Sequence, residues 1–252
     1  MIATGFPPDD GINSEIVDVE NSNFSCTNIE QFPIKLLGAT GGLMNGQKTF
    51  ICGGTYHGTT YPNDCFQLTE FGSWAKDQTT PTLTSPRAWA GYGTVVLNNN
   101  LVLTGGYRSG NHLSSIELMS PNTSETLSVQ LPTGLSSHCQ VPWDSETFLV
   151  IGGYGDSSSR DETYLINVKT NQLTNGPSLN TARNSHACAE LQLNGKTYIV
   201  VSGGQSYEEV LISTEVLDKS NVGQGWQKGI NLKCFLNFCF FHNIALHFSK
   251  CL

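Results

Sequence analysis

Histidine and cysteine, two side chains well suited to binding a transition metal, recur together at two places in the chain. The sequence reads SHCQ around His138 and Cys139, and SHACA around His186 and Cys188. Two imidazoles and two thiolates can complete a zinc site. Neither place, however, has the Cys-x-x-Cys spacing of structural zinc sites, and both lie in short strands that favour small buried residues. We therefore expect packed interior side chains, and predict no metal site and no cofactor.

Motifs of the common enzyme classes are missing. The chain contains no G-x-S-x-G nucleophile elbow, no phosphate-binding P-loop and no EF-hand loop. The segment GATGGLMNG over 38–46 is glycine-rich, but no helical pattern follows it to complete a phosphate site. We therefore expect a protein that is not an enzyme.

The remaining cysteines suggest disulfide chemistry. Cys52 and Cys65 flank one predicted hairpin loop, which would bring their Cα atoms within disulfide reach. Eight cysteines, with glycosylation sequons at Asn23 and Asn122, favour an extracellular, secreted protein. The first residues, MIATGFPPDD, lack the basic and apolar regions of a signal peptide, so a cytoplasmic location stays open.

Charge narrows the range of partners. The formal net charge is −8, only 13% of residues are charged, and no cluster of Lys or Arg occurs. Nucleic acid and anionic membrane surfaces are bound largely through clustered basic side chains. We therefore predict no nucleic-acid partner and do not expect membrane association.

A pair of glycines ends an apolar strand four times. FICGG, LVLTGG, FLVIGG and IVVSGG place the first glycine of each pair at Gly53, Gly105, Gly152 and Gly203, which are 52, 47 and 51 residues apart. Each copy begins with two strands, the second of which ends at the glycines. A polar loop and two further strands follow. A period near 50 residues with four strands per copy predicts tandem antiparallel sheets that pack radially as a β-propeller.

These features resemble the kelch-repeat β-propellers, whose marks are the double glycine, an aromatic residue in the third strand and a tryptophan in the fourth. Phe66 and Tyr164 match the aromatic position. Leu118 and Val216 occupy that position in the other two copies. The fourth-strand positions are Trp74, Leu127, Leu173 and Trp226.

The resemblance implies an all-β, kelch-type propeller over 1–232, with four complete four-stranded blades and a partial N-terminal blade in an incomplete ring. The expected boundaries are 1–35 for the partial blade and about 36–82, 83–132, 133–178 and 179–230 for the others. Residues 233–252 form an atypical hydrophobic tail, for which we consider a non-propeller end, a closing strand or a membrane-associating segment.

The resemblance also implies a non-catalytic protein-binding module that uses loops on one face. Loop positions between the second and third strands and between blades supply the candidate binding residues: His57, Tyr61, Arg87, Arg108, Asn111, His112, Asp156, Arg160, Arg183, Tyr207 and Glu208. Trp89 and Asn184 lie beside them. For Arg87 and Arg183 the alternative is that they tie neighbouring blades together.

A second reading is a secreted, galactose-oxidase-like or carbohydrate-binding propeller. Tyr92, Tyr107, Tyr154, His57, His112 and His186 supply the residue types of a copper oxidase site, but without a signature spacing. We rank this reading below a protein-binding module.

Overall fold

The structure is a computed structural model that describes residues 2–4, 14–17, 26–28, 30, 32–44, 48–56, 59–69, 72–76, 80–207 and 209–232. His57, Glu208, the sequon at Asn23 and the tail 233–252 lie outside the described residues. Among the described residues, every regular element is a β-strand apart from one 3-10 turn at Val222–Gln224.

The strands form antiparallel sheets in chain order. A three-stranded sheet holds β1 (Ile2–Thr4), β2 (Ser14–Val17) and β3 (Cys26–Asn28). Blade I holds β4 (Thr40–Met44), β5 (Lys48–Cys52), β6 (Cys65–Leu68) and β7 (Trp74–Ala75). Blade II holds β8 (Val96–Leu97), β9 (Asn100–Thr104), β12 (Ser115–Met119) and β13 (Ser124–Gln130), with a two-stranded ribbon of β10 (Tyr107–Arg108) and β11 (Asn111–His112).

Blades III and IV repeat this plan. Blade III holds β14 (Cys139–Pro142), β15 (Thr147–Gly155), β16 (Ser158–Asn167) and β17 (Gln172–Asn175). Blade IV holds β18 (Ala187–Leu193), β19 (Lys196–Ser202), β22 (Thr214–Asp218) and β23 (Gln227–Lys228), with a ribbon of β20 (Gln205–Ser206) and β21 (Glu209–Val210). The predicted four-bladed propeller arrangement with a partial N-terminal blade is confirmed.

The hydrophobic core lies between successive blades. One cluster joins blade I to blade II through Phe50, Cys52, Leu101 and Met119, and another joins blade III to blade IV through Leu149, Ile199, Leu217 and Trp226. The cluster between blades II and III contains twelve buried residues, including Val102, Ile116, Phe148 and Tyr164. Blades I to IV therefore bury the faces that they turn towards one another, as expected for stacked repeats that cannot be stable alone.

The double glycine fits where blades approach each other. Gly105 has φ +58°, and a Cβ there would lie 2.3 Å from the carbonyl oxygen of Leu135 in the next blade. Gly106 donates its N–H to that same carbonyl over 2.7 Å. Any larger residue at Gly105 would therefore be strained and would also push the blades apart. In blades I, II and IV the second strand ends directly before the double glycine, whereas in blade III β15 and β16 continue past Gly152–Gly153 as a long hairpin.

The strand register corrects the third-strand assignment. Phe66 pairs with Ile51 and Tyr164 with Val150, two residues before each double glycine. The same pairing in blades II and IV falls on Glu117 and Glu215, not on Leu118 and Val216. The polar loop between the glycines and the third strand is one residue longer in blade I than in blades II and IV. The spacing of blade I, applied to blades II and IV, therefore places the aromatic position one residue too late.

Two disulfides are present among the described residues. Cys52 and Cys65 pair across neighbouring antiparallel strands, as predicted, with Cα atoms 4.1 Å apart. Cys139 and Cys188, which we expected to be packed side chains, form a second bridge that joins the first strands of blades III and IV. Within the part of the chain described, no helix has the length and apolar character needed to cross a membrane.

Candidate functional site

Loops on one side of the propeller are held by a repeated backbone contact. In each blade, a lead-in segment reaches the first strand and pairs with the residue directly after the double glycine. These bridges are Leu37 with Thr55, Ala88 with Tyr107, Ser136 with Tyr154, and Asn184 with Gln205. The inter-blade loops and the loops between second and third strands therefore meet on one face, where a rigid sheet fixes their side chains.

Five aromatic side chains form a continuous strip on this face. Tyr107 lies at the centre, with ring centroids 6.2 Å from Tyr61, 5.9 Å from Trp89 and 5.2 Å from His112. His112 continues the strip to Tyr154 at 5.6 Å. These separations are those of interacting aromatic pairs. The strip crosses from blade I to blade III, and we refer to these five residues as the aromatic strip.

The aromatic strip is partly open to solvent. Tyr154 is 36% exposed, and the other four members are half-buried. Rings that are already ordered by their neighbours lose little conformational freedom when a partner covers them. The strip therefore offers apolar area in fixed positions.

Polar and charged side chains border the strip. Arg108 is exposed and donates to the Ser85 hydroxyl over 3.2 Å, and Asn111 is exposed in the same ribbon. Arg160 forms an ion pair with Asp156 and lies 3.8 Å from Glu162. Tyr207 stands apart from this group in blade IV and is 86% exposed. A mixed border around aromatic rings is typical of a protein-recognition surface.

His112 is held neutral in the strip. Partial burial lowers the pKa of its imidazole, and the nearby Asp156 carboxylate opposes that shift. Its Nδ1 lies 3.0 Å from the Ser136 hydroxyl of the next blade. At neutral pH the strip therefore presents an uncharged imidazole whose orientation is fixed across a blade boundary.

Arg87 and Arg183 do not belong to this surface, which corrects their inclusion among the candidate binding residues. They are 1% and 0% exposed. The Arg87 guanidinium donates to the Gly105 carbonyl and to Glu117, while the Arg87 carbonyl accepts the Gly54 N–H of the preceding blade. Both arginines thus tie blades together, which was the alternative that the sequence left open.

Sequence reasoning did not select Tyr107 and Tyr154 for the binding set, because an aromatic residue after two glycines also suits ordinary loop packing. Trp89 was placed only beside the set. The recurring tyrosine after the second glycine in blades II and III was the signal available. The position of these tyrosines matters because the backbone bridges between lead-in segments and double glycines align it from blade to blade.

His138 and His186 are buried near the same lead-in segments. Among the described residues, neither ring has a hydrogen-bond partner for its nitrogens. Burial lowers the pKa of His138 to about 3, and it lowers that of His186 well below its usual value, helped by Arg183 and His138. Within the described ranges, no three His, Cys, Asp or Glu side chains gather as a metal-ligand group.

Comparison with known proteins agrees with this geometry. A family model described as the kelch motif matches residues 88–125, which contain the lead-in segment, the double glycine and the third strand of blade II. The chain is a β-propeller that carries a kelch motif in blade II. The solved structure titled "Structure of YjhT" is similar to this propeller with a TM-score of 0.71 and 13% identity, over 88% of this chain and 78% of that chain. At that identity the likeness concerns the fold alone. No curated protein matches this kelch-type chain.

Proposed function

We propose that this kelch-type propeller is a non-catalytic protein-binding module that receives its partner on the aromatic strip. The observation that carries the proposal is the continuity of Tyr61, Trp89, Tyr107, His112 and Tyr154 across three blades at ring separations of 5.2 to 6.2 Å. Tyrosine, tryptophan and arginine are the residues that most often dominate protein-binding energy. Propellers of this kind are commonly protein-interaction modules, which agrees with the proposal.

Charge indicates the kind of partner. The chain carries a net charge of −8, yet Arg108 beside the strip is an exposed positive charge. A partner segment with an apolar or aromatic centre and a carboxylate that can reach Arg108 would fit this border. Long-range attraction would further favour a partner that is basic elsewhere.

The disulfides favour an oxidising compartment, so we propose that the partner is extracellular. Cys52, Cys65 and Cys139 are at most 1% exposed, and both bridges form within the fold. Such bridges persist mainly in secreted proteins and are rare in the cytosol. Asn122 is exposed in the turn between β12 and β13, where a glycan could be attached without entering the core.

The test uses the full chain against an array of secreted and cell-surface ectodomains. The double variant Tyr107→Ser/Tyr154→Ser removes two rings of the strip, and Leu193→Ser is the matched control, since Leu193 is 47% exposed at the opposite end of blade IV. The proposal expects at least one ectodomain whose binding falls by about 100-fold or more in the double variant and is retained by the control. Circular dichroism verifies that both variants are folded.

Two results would contradict the proposal. Binding that is equal in the double variant and the wild type would remove the strip from the interface. Binding to a glycan array instead, or stoichiometric copper with oxidase activity, would support the galactose-oxidase-like or carbohydrate-binding alternative.

A further inference from the structure

Trp89 occupies an unusual backbone position at one corner of the aromatic strip. It follows Ala88, whose bridge to Tyr107 fixes the lead-in segment of blade II, and its φ is +52°. In the other blades the residue after the bridge also has positive φ, but it is small: Gly38, Ser137 and Ser185. A bulky side chain in this left-handed region costs backbone energy, and such costs are concentrated at functional sites.

Gly38 of the preceding blade makes room for the Trp89 indole. A Cβ at Gly38 would lie 2.6 Å from both Cδ1 and Nε1 of Trp89, so a side chain there would displace the ring. The Trp89 N–H also donates to the Gly38 carbonyl over 2.7 Å, and this bond holds the two lead-in segments together. In this position Trp89 is half-buried. Two blades therefore combine to place one indole in the strip.

The aromatic strip is ridged and not flat. The planes of its contacting rings are inclined to each other by 57° to 62° in the four contacts that join its members. Rings inclined by about 60° cannot all lie parallel to the surface, so wedges and ring edges alternate along the strip. A ligand that stacks on one continuous platform does not match this relief, whereas a ligand with ridges of its own does.

A polyproline II helix has such ridges. It has three residues per turn and rises about 3.1 Å per residue, and proline-rich segments in this conformation dock on aromatic-lined grooves. Successive centroid separations of 6.2, 5.2 and 5.6 Å lead from Tyr61 to Tyr154. A strip of that length holds up to about two turns of the helix. Because both the helix and the rings are preformed, little conformational freedom is lost on binding.

The strip also carries donors for the backbone of such a helix. The carbonyls of a polyproline II helix have no partners within the helix. The indole N–H of Trp89 and the phenol O–H groups of Tyr107 and Tyr154 can donate to them. Arg108 directly follows Tyr107, is exposed and can pair with a carboxylate. The chemistry of this surface therefore fits prolines next to an acidic residue.

We propose that the aromatic strip binds a proline-rich segment in the polyproline II conformation, with Trp89 as its main anchor and an acidic residue of the segment at Arg108. The inference rests on the proposed function of the strip and names what the partner presents there. Trp89 determines specificity, because it supplies both a wedge against Tyr107 and an indole donor. The serines at the same position in blades III and IV supply neither.

The test titrates the full chain with synthetic peptides of eight prolines that carry one glutamate at either the N- or the C-terminal end. Control peptides of equal length and charge replace the prolines with alternating glycine and serine. We expect the better proline peptide to bind about ten-fold more tightly than its control and to shift the NMR signal of the Trp89 indole N–H. Lysine in place of the glutamate should weaken binding several-fold, because Arg108 would then face a like charge.

Two variants test the role of Trp89. Trp89→Asn removes the indole and suits the positive φ, since asparagine tolerates this conformation. We expect it to weaken binding of the proline peptide by about ten-fold or more. The matched control Tyr207→Ser removes an 86% exposed tyrosine outside the strip and should leave binding unchanged. Circular dichroism verifies that both variants are folded, and the wild-type comparison of the two peptides decides the proposal even if Trp89→Asn does not fold.

Three results would overturn the inference. The first is equal binding of the proline and control peptides by the wild type. The second is binding of the proline peptide that Trp89→Asn, in a folded chain, leaves unchanged. The third is an ectodomain that presents no proline-rich segment but loses binding in Tyr107→Ser/Tyr154→Ser, and this result would leave the proposed function standing. An oligosaccharide bound on the strip would overturn both.

Discussion

The guanidinium of Arg183 lies 2.8 Å from the carboxylate of Glu215, with side-chain exposures of 0% and 2%. In blade III the equivalent positions hold Leu135 and Tyr164, which belong to one hydrophobic cluster. The same pair of positions therefore carries either a buried ion pair or an apolar contact. A buried ion pair is costly to break, because the remaining charge stays desolvated, but its replacement by a neutral pair can be well tolerated.

We expect Arg183→Leu to lower the free energy of unfolding by about 3 to 5 kcal/mol, since it leaves Glu215 charged and buried. The double variant Arg183→Leu/Glu215→Gln should recover at least half of that loss. Gln removes the charge, and its one carbonyl oxygen can still accept one of the two backbone N–H groups, from Asn180 or Thr181, that bond to separate oxygens of Glu215. Urea unfolding measures the free energy of unfolding of the wild type, the single variant and the double variant.

The matched control for this series is Arg160→Leu, which removes an arginine whose side chain is 22% exposed. Arg160→Leu should lower the free energy of unfolding by only about 1 kcal/mol. A double variant less stable than Arg183→Leu would show that the charge of Glu215 is not the source of the loss.

We expect Gly105→Ala to unfold far more readily than Gly110→Ala. Both glycines have positive φ, at +58° and +91°, so both substitutions carry a backbone cost of about 1 kcal/mol. Only at Gly105 would the new Cβ meet a neighbouring carbonyl at 2.3 Å, whereas no atom lies within 4 Å at Gly110. Thermal unfolding compares the variants, and equal melting temperatures would contradict the close approach of blades II and III.

We expect the propeller to lose stability as pH falls from 8 to 5. The folded-state pKa of His138 is lowered to about 3 by complete burial, whereas an unfolded histidine titrates near 6.5. Between these values the unfolded chain binds a proton that the folded chain does not, so the stability is present above pH 6.5 and declines below it. His138 alone should account for about 2 kcal/mol at pH 5.

His186 should add to this decline, since its pKa is lowered in the same direction by burial. The check is urea unfolding at several pH values for the wild type and for His138→Gln, which cannot titrate. A pH dependence unchanged by the substitution would contradict the prediction.

We expect the Cys139–Cys188 bridge to stabilise the fold more than the Cys52–Cys65 bridge. The bridges join residues 49 and 13 apart in sequence. Loop-closure entropy gives about 4 kcal/mol for the longer loop and about 3 kcal/mol for the shorter one. The contribution of each bridge is the difference in free energy of unfolding between oxidised and reduced protein. It is measured in a variant in which the other cysteine pair is replaced by alanine. A larger effect for the shorter loop would run against the entropic account.

Contacts inside one blade could be predicted from the sequence, because they join residues close together in the chain. The double glycines, the hairpins around them and the Cys52–Cys65 bridge all lie within about one repeat. The assignment of the third strand failed by one residue in blades II and IV, where Glu117 and Glu215 take the place of an aromatic ring. Glutamate is rarely buried without a paired charge, so the sequence does not indicate a buried glutamate unless the contact with its arginine is known.

The sequence by itself determined the kind of fold, since a glycine pair recurring about every 50 residues between alternating strands requires sheets that stack on one another. Only the tertiary structure decided that Arg87 and Arg183 are interior, that Cys139 meets Cys188, and that Tyr107 and Tyr154 align in one strip. The physical reason is distance along the chain: Arg87 and Arg183 meet Glu117 and Glu215, 30 and 32 residues away, and Cys139 meets Cys188, 49 residues away in the next blade. Their side chains meet only when the blades are stacked in their final register.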